Sequence, residues 1–226
     1  MSSGFRGLTV LRAGAAAFLS MTLVMTSLPA GAGVTSSTDT RSYDVSGTSA
    51  SSLVSYMRNN PFPGDKGAAV ANIRPSYSLS IATKQVGGLC QASGINLSVH
   101  FVMTLPHAVN ASSLNGGTRV AWDSFVGFAR QHEETHRAIY MQCANEFAAK
   151  ALRLTSQRCF ALDSRIRGML EAEKRACDSR QAAFDRAQYR LVFGLSLFNM
   201  AKYAGRKVTP VSVRTVTPII STPASH

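Results

Sequence analysis

Two histidines four residues apart, with a glutamate directly after the first, are the residues of this chain best suited to chemistry. They stand in the run His132-Glu133-Glu134-Thr135-His136, which fits the pattern H-E-x-x-H. On a helix, positions i and i+4 lie one turn apart on the same face, so both imidazoles can converge on a single cation. Glu133 then stands where it reaches a water polarised by that cation rather than the cation itself. Zinc lowers the pKa of such a water towards neutrality, and a carboxylate can take its proton. The blander alternative is an exposed helix carrying two solvated histidines.

The surrounding pattern argues for an inward-facing pair. From about residue 118 to 154 there is no proline, and no glycine except Gly127. Trp122, Phe125, Ala129, Ile139, Cys143, Phe147, Ala151 and Leu154 recur at steps of three and four, with one gap. His132 and His136 fill that gap in register, and buried ring nitrogens need partners. A second helix is predicted from residue 159 to about 191, with Leu162, Ile166, Met169, Leu170, Ala176, Ala183, Phe184 and Ala187 as its stripe. Residues 155–158 break the pattern, and so short a connection implies an antiparallel helical hairpin. With the turn centred near Gln157, His136 lies opposite Cys177 and His132 opposite Gln181.

The elements before this pair read as β structure with one helix. Residues 43–47 form a short strand ending at a turn, 51–58 a helix, and 76–83 a strand. The clearest strand is 95–105, where Ile95, Leu97, Val99, Phe101, Met103 and Leu105 alternate with mostly polar neighbours. Pro106 is expected to end it, and residues 107–117 to form a polar loop with a Gly-Gly turn. The expected fold is a single α+β domain over residues 43–206, a small antiparallel sheet packed against the long antiparallel helical hairpin. Residues 33–42, rich in Ser, Thr and Gly, read as a flexible lead-in, and residues 207–226 as a disordered tail.

The N-terminus points to export. Arg6 and Arg12 precede an apolar run from Ala13 to Leu28, and Ala30-Gly31-Ala32 completes a cleavage pattern, so residues 1–32 read as a signal peptide. No second apolar stretch follows, which leaves no stable membrane span after cleavage; an uncleaved anchor is the alternative. The expected location is periplasmic or secreted. Of the formal charge of +12, removal of the two leader arginines leaves +10. That charge suits anionic cell-envelope polymers as partners, whereas no nucleic-acid-binding motif is present. Four cysteines, Cys90, Cys143, Cys159 and Cys177, favour two disulfides in an exported chain, with three connectivities open. The expected pairing joins Cys90 to Cys159 and Cys143 to Cys177. The second bridge requires the interhelical turn to lie nearer Phe160 than Gln157.

These residues resemble a bacterial domain-of-unknown-function family, number 922, regarded as secreted zinc-dependent proteases. The resemblance rests on Tyr43-Asp44-Val45-Ser46-Gly47, Cys90, Thr104-Leu105-Pro106, Trp122, the H-E-x-x-H run, and Cys159 with Leu162. It covers most of residues 43–191 and implies a zincin-like domain acting on a peptide or protein substrate. His132 and His136 would hold zinc, and Glu133 would be the general base. The family pattern also carries an aromatic-Asp pair late in the second helix, then a Thr and a His-Gly. Here the pair is Phe184-Asp185, but Gln188 replaces the Thr and Arg190-Leu191 the His-Gly. If that His is the third zinc ligand, this chain has lost it. Asp185 is the best substitute and Glu173 the next, with a pairing to Arg137 as the alternative role for Glu173. Tyr189 is a candidate oxyanion donor, and His100 or His107 could reach the site only if the sheet packs over the helix. Two rival readings are a non-catalytic envelope protein with a structural metal site and a cell-wall amide hydrolase.

Overall fold

Gly87 and Gly88 both take positive φ, 57° and 81°, and so close a two-residue turn between two long strands. A computed structural model of the chain describes residues 31–64 and 67–204. In it, β4 (Asn72–Val86) and β5 (Leu89–Ala108) pair antiparallel through this turn, from Val86 opposite Leu89 to Asn72 opposite Thr104. On the other side of β5 lies β1 (Ala32–Val45), paired parallel with residues 95–108. The short β6 (Thr155–Ser156) adds to the start of β5, and β2 (Phe62–Gly64) and β3 (Gly67–Ala69) form a separate two-stranded ribbon. Among the described residues there are four helices: α1 (Ala50–Asn59), α2 (Gly116–Ala151), α3 (Cys159–Phe193) and α4 (Ser196–Ala204). The fold is therefore mixed α/β, with a small sheet.

Several expectations need correction. The sheet is not purely antiparallel, because β1 runs parallel to β5. Residues 33–42 are not a flexible lead-in but most of β1. Polar composition hid this strand: its outer face is a Ser/Thr ladder, with Thr35 Oγ1 3.0 Å from Ser98 Oγ, while Ser36 accepts from Arg137 instead of meeting apolar side chains. Pro106 does not end β5. Pairing with β4 stops at Thr104, so Pro106 has only β1 beside it and its missing N–H costs no bond on the other side. Gly116 and Gly117 open α2 rather than forming a turn, because the Asn115 side chain caps it by accepting from Thr118 N at 2.8 Å. The leader and the tail lie outside the described residues, apart from positions 31 and 32.

Two apolar clusters hold these elements. The inward face of β5, from Ile95 to Leu105, packs on Ala144, Phe147 and Ala148 of α2 and on Leu162 and Ile166 of α3. The second cluster joins Leu53 and Val54 of α1, Trp122 and Phe125 of α2, and Leu197 of α4. Helix α2 thus spans both, with Trp122 and Phe125 in the second cluster and Ala129 to Ala151 in the first, and the gap in its apolar stripe falls after Ala129, within its stretch on the first. Along α2 and α3, Lys150 meets Glu173 at 2.6 Å, Glu146 meets Arg180 at 2.7 Å, and Cys143 is bonded to Cys177. The second disulfide, Cys90–Cys159, ties β5 to the start of α3. Both bridges match the expected pairing. No helix among the described residues is long and apolar enough to cross a membrane.

The bridge between Cys90 and Cys159 encloses a sequence separation of 69. Closing so long a loop restricts the unfolded chain strongly, so Cys90→Ser with Cys159→Ser should lower unfolding free energy by roughly 2–4 kcal/mol in urea titration. A second stability prediction concerns pH. Hydrogen bonds from Arg180 and then from Gln142 push the Glu146 carboxyl down to about 2, against an ordinary value of 4.5. A depressed carboxyl contributes stability that is present above the ordinary value and lost as pH falls through the folded one. Wild type should therefore exceed Glu146→Gln in urea midpoint at pH 7, and the gap should close by about pH 2. A gap that is the same at both pH values would contradict the pairing.

Candidate metal centre

The site is built where the two long helices face one another. His132 and His136 come from α2 and Asp185 from α3. His132 Nε2 and His136 Nε2 are 3.0 Å apart. Asp185 Oδ1 lies 2.8 Å from His136 Nε2 and 3.3 Å from His132 Nε2. Three electron-pair donors thus share one small triangle. A tetrahedral zinc with ligands at about 2.0 Å has ligand–ligand edges of about 3.3 Å. The triangle is of that size, and two imidazoles with one carboxylate are an ordinary donor set for zinc. The fit is a property of the donors; no other group of three or more His, Cys, Asp or Glu meets the same criterion among the described residues.

The two histidines are held differently. His136 is fixed by an amide: its Nδ1 lies against Gln181 Oε1, while Gln181 Nε2 donates to the His136 backbone carbonyl at 3.1 Å. Gln181 is only 3 % exposed, so this clamp is shielded from water. An Nδ1–H donated to Gln181 leaves the Nε2 lone pair free to face Asp185 and His132. His132 has rings instead. Phe184 stacks on it at 4.8 Å between centroids and Phe128 lies beyond at 6.3 Å, while its Nδ1 has no hydrogen-bond partner among the described residues. Burial, then the neighbouring His136, pushes His132 below its ordinary pKa, although Asp185 pulls the other way. The imidazole is therefore favoured in the neutral form that a metal requires.

Glu133 is 4 % exposed and lines the same cleft as the two histidines and Asp185. That cleft measures about 640 Å³ and opens between α1 and the start of β4 on one side and α2 and α3 on the other. Its walls are largely apolar, including Val70, Ile73, Phe128, Val192 and Phe193. Tyr189 also lines it but is mostly exposed, with its ring edge-on to Phe193. Glu173 is remote from the centre: it pairs with Lys150 rather than Arg137, and Arg137 pairs with Glu134. His100 stands on the outer face of the sheet beside Ser37 and Asp39, and His107 pairs with Asp44, so neither joins the cluster.

The expected facing of the helices was one turn out. His136 faces Gln181 rather than Cys177, and His132 faces Asp185 rather than Gln181. Pairing of Thr155 and Ser156 with β5 displaces the connection, and the Cys143–Cys177 bridge fixes the later register. The role of Gln181 was missed. Its sequence cue is a polar side chain four residues before Asp185, one turn away on the same face of α3, whereas Ala183 of the expected stripe is exposed.

A family model described as a bacterial protein of unknown function, DUF922, matches residues 40–190. The chain belongs to the DUF922 family. No curated protein and no solved structure matches it. The matched stretch of this DUF922 chain contains every residue of the centre, from His132 to Asp185, and both disulfides. It ends at Arg190, close to where the expected family His-Gly is replaced by Arg190-Leu191.

Proposed function

We propose that this DUF922 protein is an exported zinc-dependent peptidase whose metal is held by His132, His136 and Asp185, with Glu133 as general base. The observation that carries the reading is the convergence of three ligand atoms within 4.8 Å on the wall of an open cleft. A structural zinc site closes its shell with four protein ligands, whereas a catalytic one keeps three and an open position. In this reading α2 and α3 act as an antiparallel hairpin whose register is clamped by Cys143–Cys177, so that Asp185 stays opposite the histidines. Asp185 stands in for the missing family histidine.

When bound, zinc would supply Lewis-acid polarisation and acidify the attacking water. Glu133 would accept that water's proton at a carboxylate oxygen and return it to the departing amine nitrogen. Gln181 would keep His136 in the tautomer that presents Nε2, and Phe184 would hold His132 edge-on to it. The apolar cleft walls would exclude water from the rest of the bound segment. Two disulfides and the N-terminal leader pattern support action outside the cytoplasm.

A non-catalytic envelope protein is the rival, favoured by Arg190-Leu191 standing where the family carries His-Gly. A peptide-library digest separates them. Zinc-loaded wild type should release new N-termini, a chelator should stop this, and added zinc should restore it. Background-level cleavage at saturating zinc would leave the non-catalytic reading standing.

A further inference from the structure

Arg58 gives the cleft a charge that the zinc centre does not use. It lies in the last turn of α1, is exposed, and lines the cleft together with His132, Glu133 and Asp185. No hydrogen bond or ion pair engages it among the described residues. A basic residue in a last helical turn also offsets the helix dipole, which by itself would need no cleft. The charge balance of this cleft argues for more. The carboxylates of Asp185 and Glu133 would together offset a bound divalent cation, which leaves the Arg58 guanidinium as the uncompensated charge along the cleft. Arg58 shares this cleft with a largely apolar lining that includes Val70, Ile73, Phe128, Val192 and Phe193. A ligand that fits these surfaces presents a large apolar side chain to the walls and a carboxylate to Arg58.

Resting on the peptidase reading above, we infer that the substrate is a peptide segment carrying a large apolar residue flanked by an acidic one, with Arg58 selecting the acidic group. The excess positive charge of the chain favours the encounter with such segments, but Arg58 makes the choice within the cleft. Because Arg58 is exposed, the preference is modest and salt-sensitive.

The test measures binding rather than turnover. Fluorescent hexapeptides with a central Phe and either Glu or Gln at each flanking position are titrated into the zinc-loaded wild-type protein at low temperature, with cleavage followed on the same samples. At least one Glu peptide should bind roughly fivefold more tightly than its Gln partner at low salt, and the difference should fade in 1 M salt. Arg58→Gln should abolish the preference and Arg58→Lys should keep part of it, with zinc content measured on the same samples. Equal affinity of all Glu and Gln pairs, persistence of the preference in Arg58→Gln, or no binding by any peptide would overturn the inference. Failure of the peptidase reading looks different: wild type would retain the preference and cleave none of the peptides.

Discussion

Replacing Glu133 by glutamine should leave the fold and the zinc content intact and lower peptide hydrolysis by on the order of 10²–10⁴-fold. The amide has nearly the same shape as the carboxylate but cannot accept the water's proton. Glu133 is buried on the cleft side of α2, beside the two histidines, so its loss should act on the chemical step rather than on access. The check is a comparison of kcat at saturating zinc, with elemental analysis and circular dichroism on the same preparations. A Glu133→Gln protein as active as wild type would remove this residue from the reaction and with it the proposed proton path.

The second large effect falls on the metal. His136→Ala should take the protein from about one zinc per chain to almost none after dialysis. His136 touches both other donors and is the only one of the three fixed by a buried amide. Its removal also strands Gln181 Oε1, and a buried polar atom without a partner costs roughly 1–3 kcal/mol. His136→Ala combined with Gln181→Leu separates this stability loss from the loss of zinc. Gln181→Leu alone should weaken zinc by roughly 10–100-fold, as expected when an orienting partner is lost. Asp185→Ala distinguishes the roles open to that carboxylate. As a ligand it should lower zinc affinity well beyond that range; as an orienting group it should fall within it. Zinc titrations against a competing chelator measure all four variants.

How much of this was legible in the sequence follows from what each residue contacts. The central strand was plain because Ile95 to Leu105 have one face on the core and one in solvent. The histidine pair was legible for a related reason, since it occupies a break in the α2 stripe flanked by Ala129 and Tyr140, both of which pack in the main core. Strand β1 was hidden because neither face of its first ten residues makes a continuous apolar core. One faces solvent with Thr35 and Ser37, and the other places Ser36 under Arg137. The register of α3 against α2 was not fixed by periodicity, which is unchanged by sliding one helix by a turn. A two-residue strand and a disulfide set it, and only the disulfide left a mark in the sequence. Asp185 could be named because the family pattern pointed to it. Gln181 could not, because its function depends on meeting His136 across that register.

Zinc-edge X-ray absorption on the purified, zinc-loaded and dialysed protein tests the central claim most directly. The account predicts stoichiometric zinc with a first shell of nitrogen and oxygen only, at about 2.0–2.1 Å. It also predicts multiple scattering from two imidazoles, reduced to one in His132→Ala. A protein that retains no zinc, or a spectrum with fewer than two imidazoles in the wild type, would contradict it.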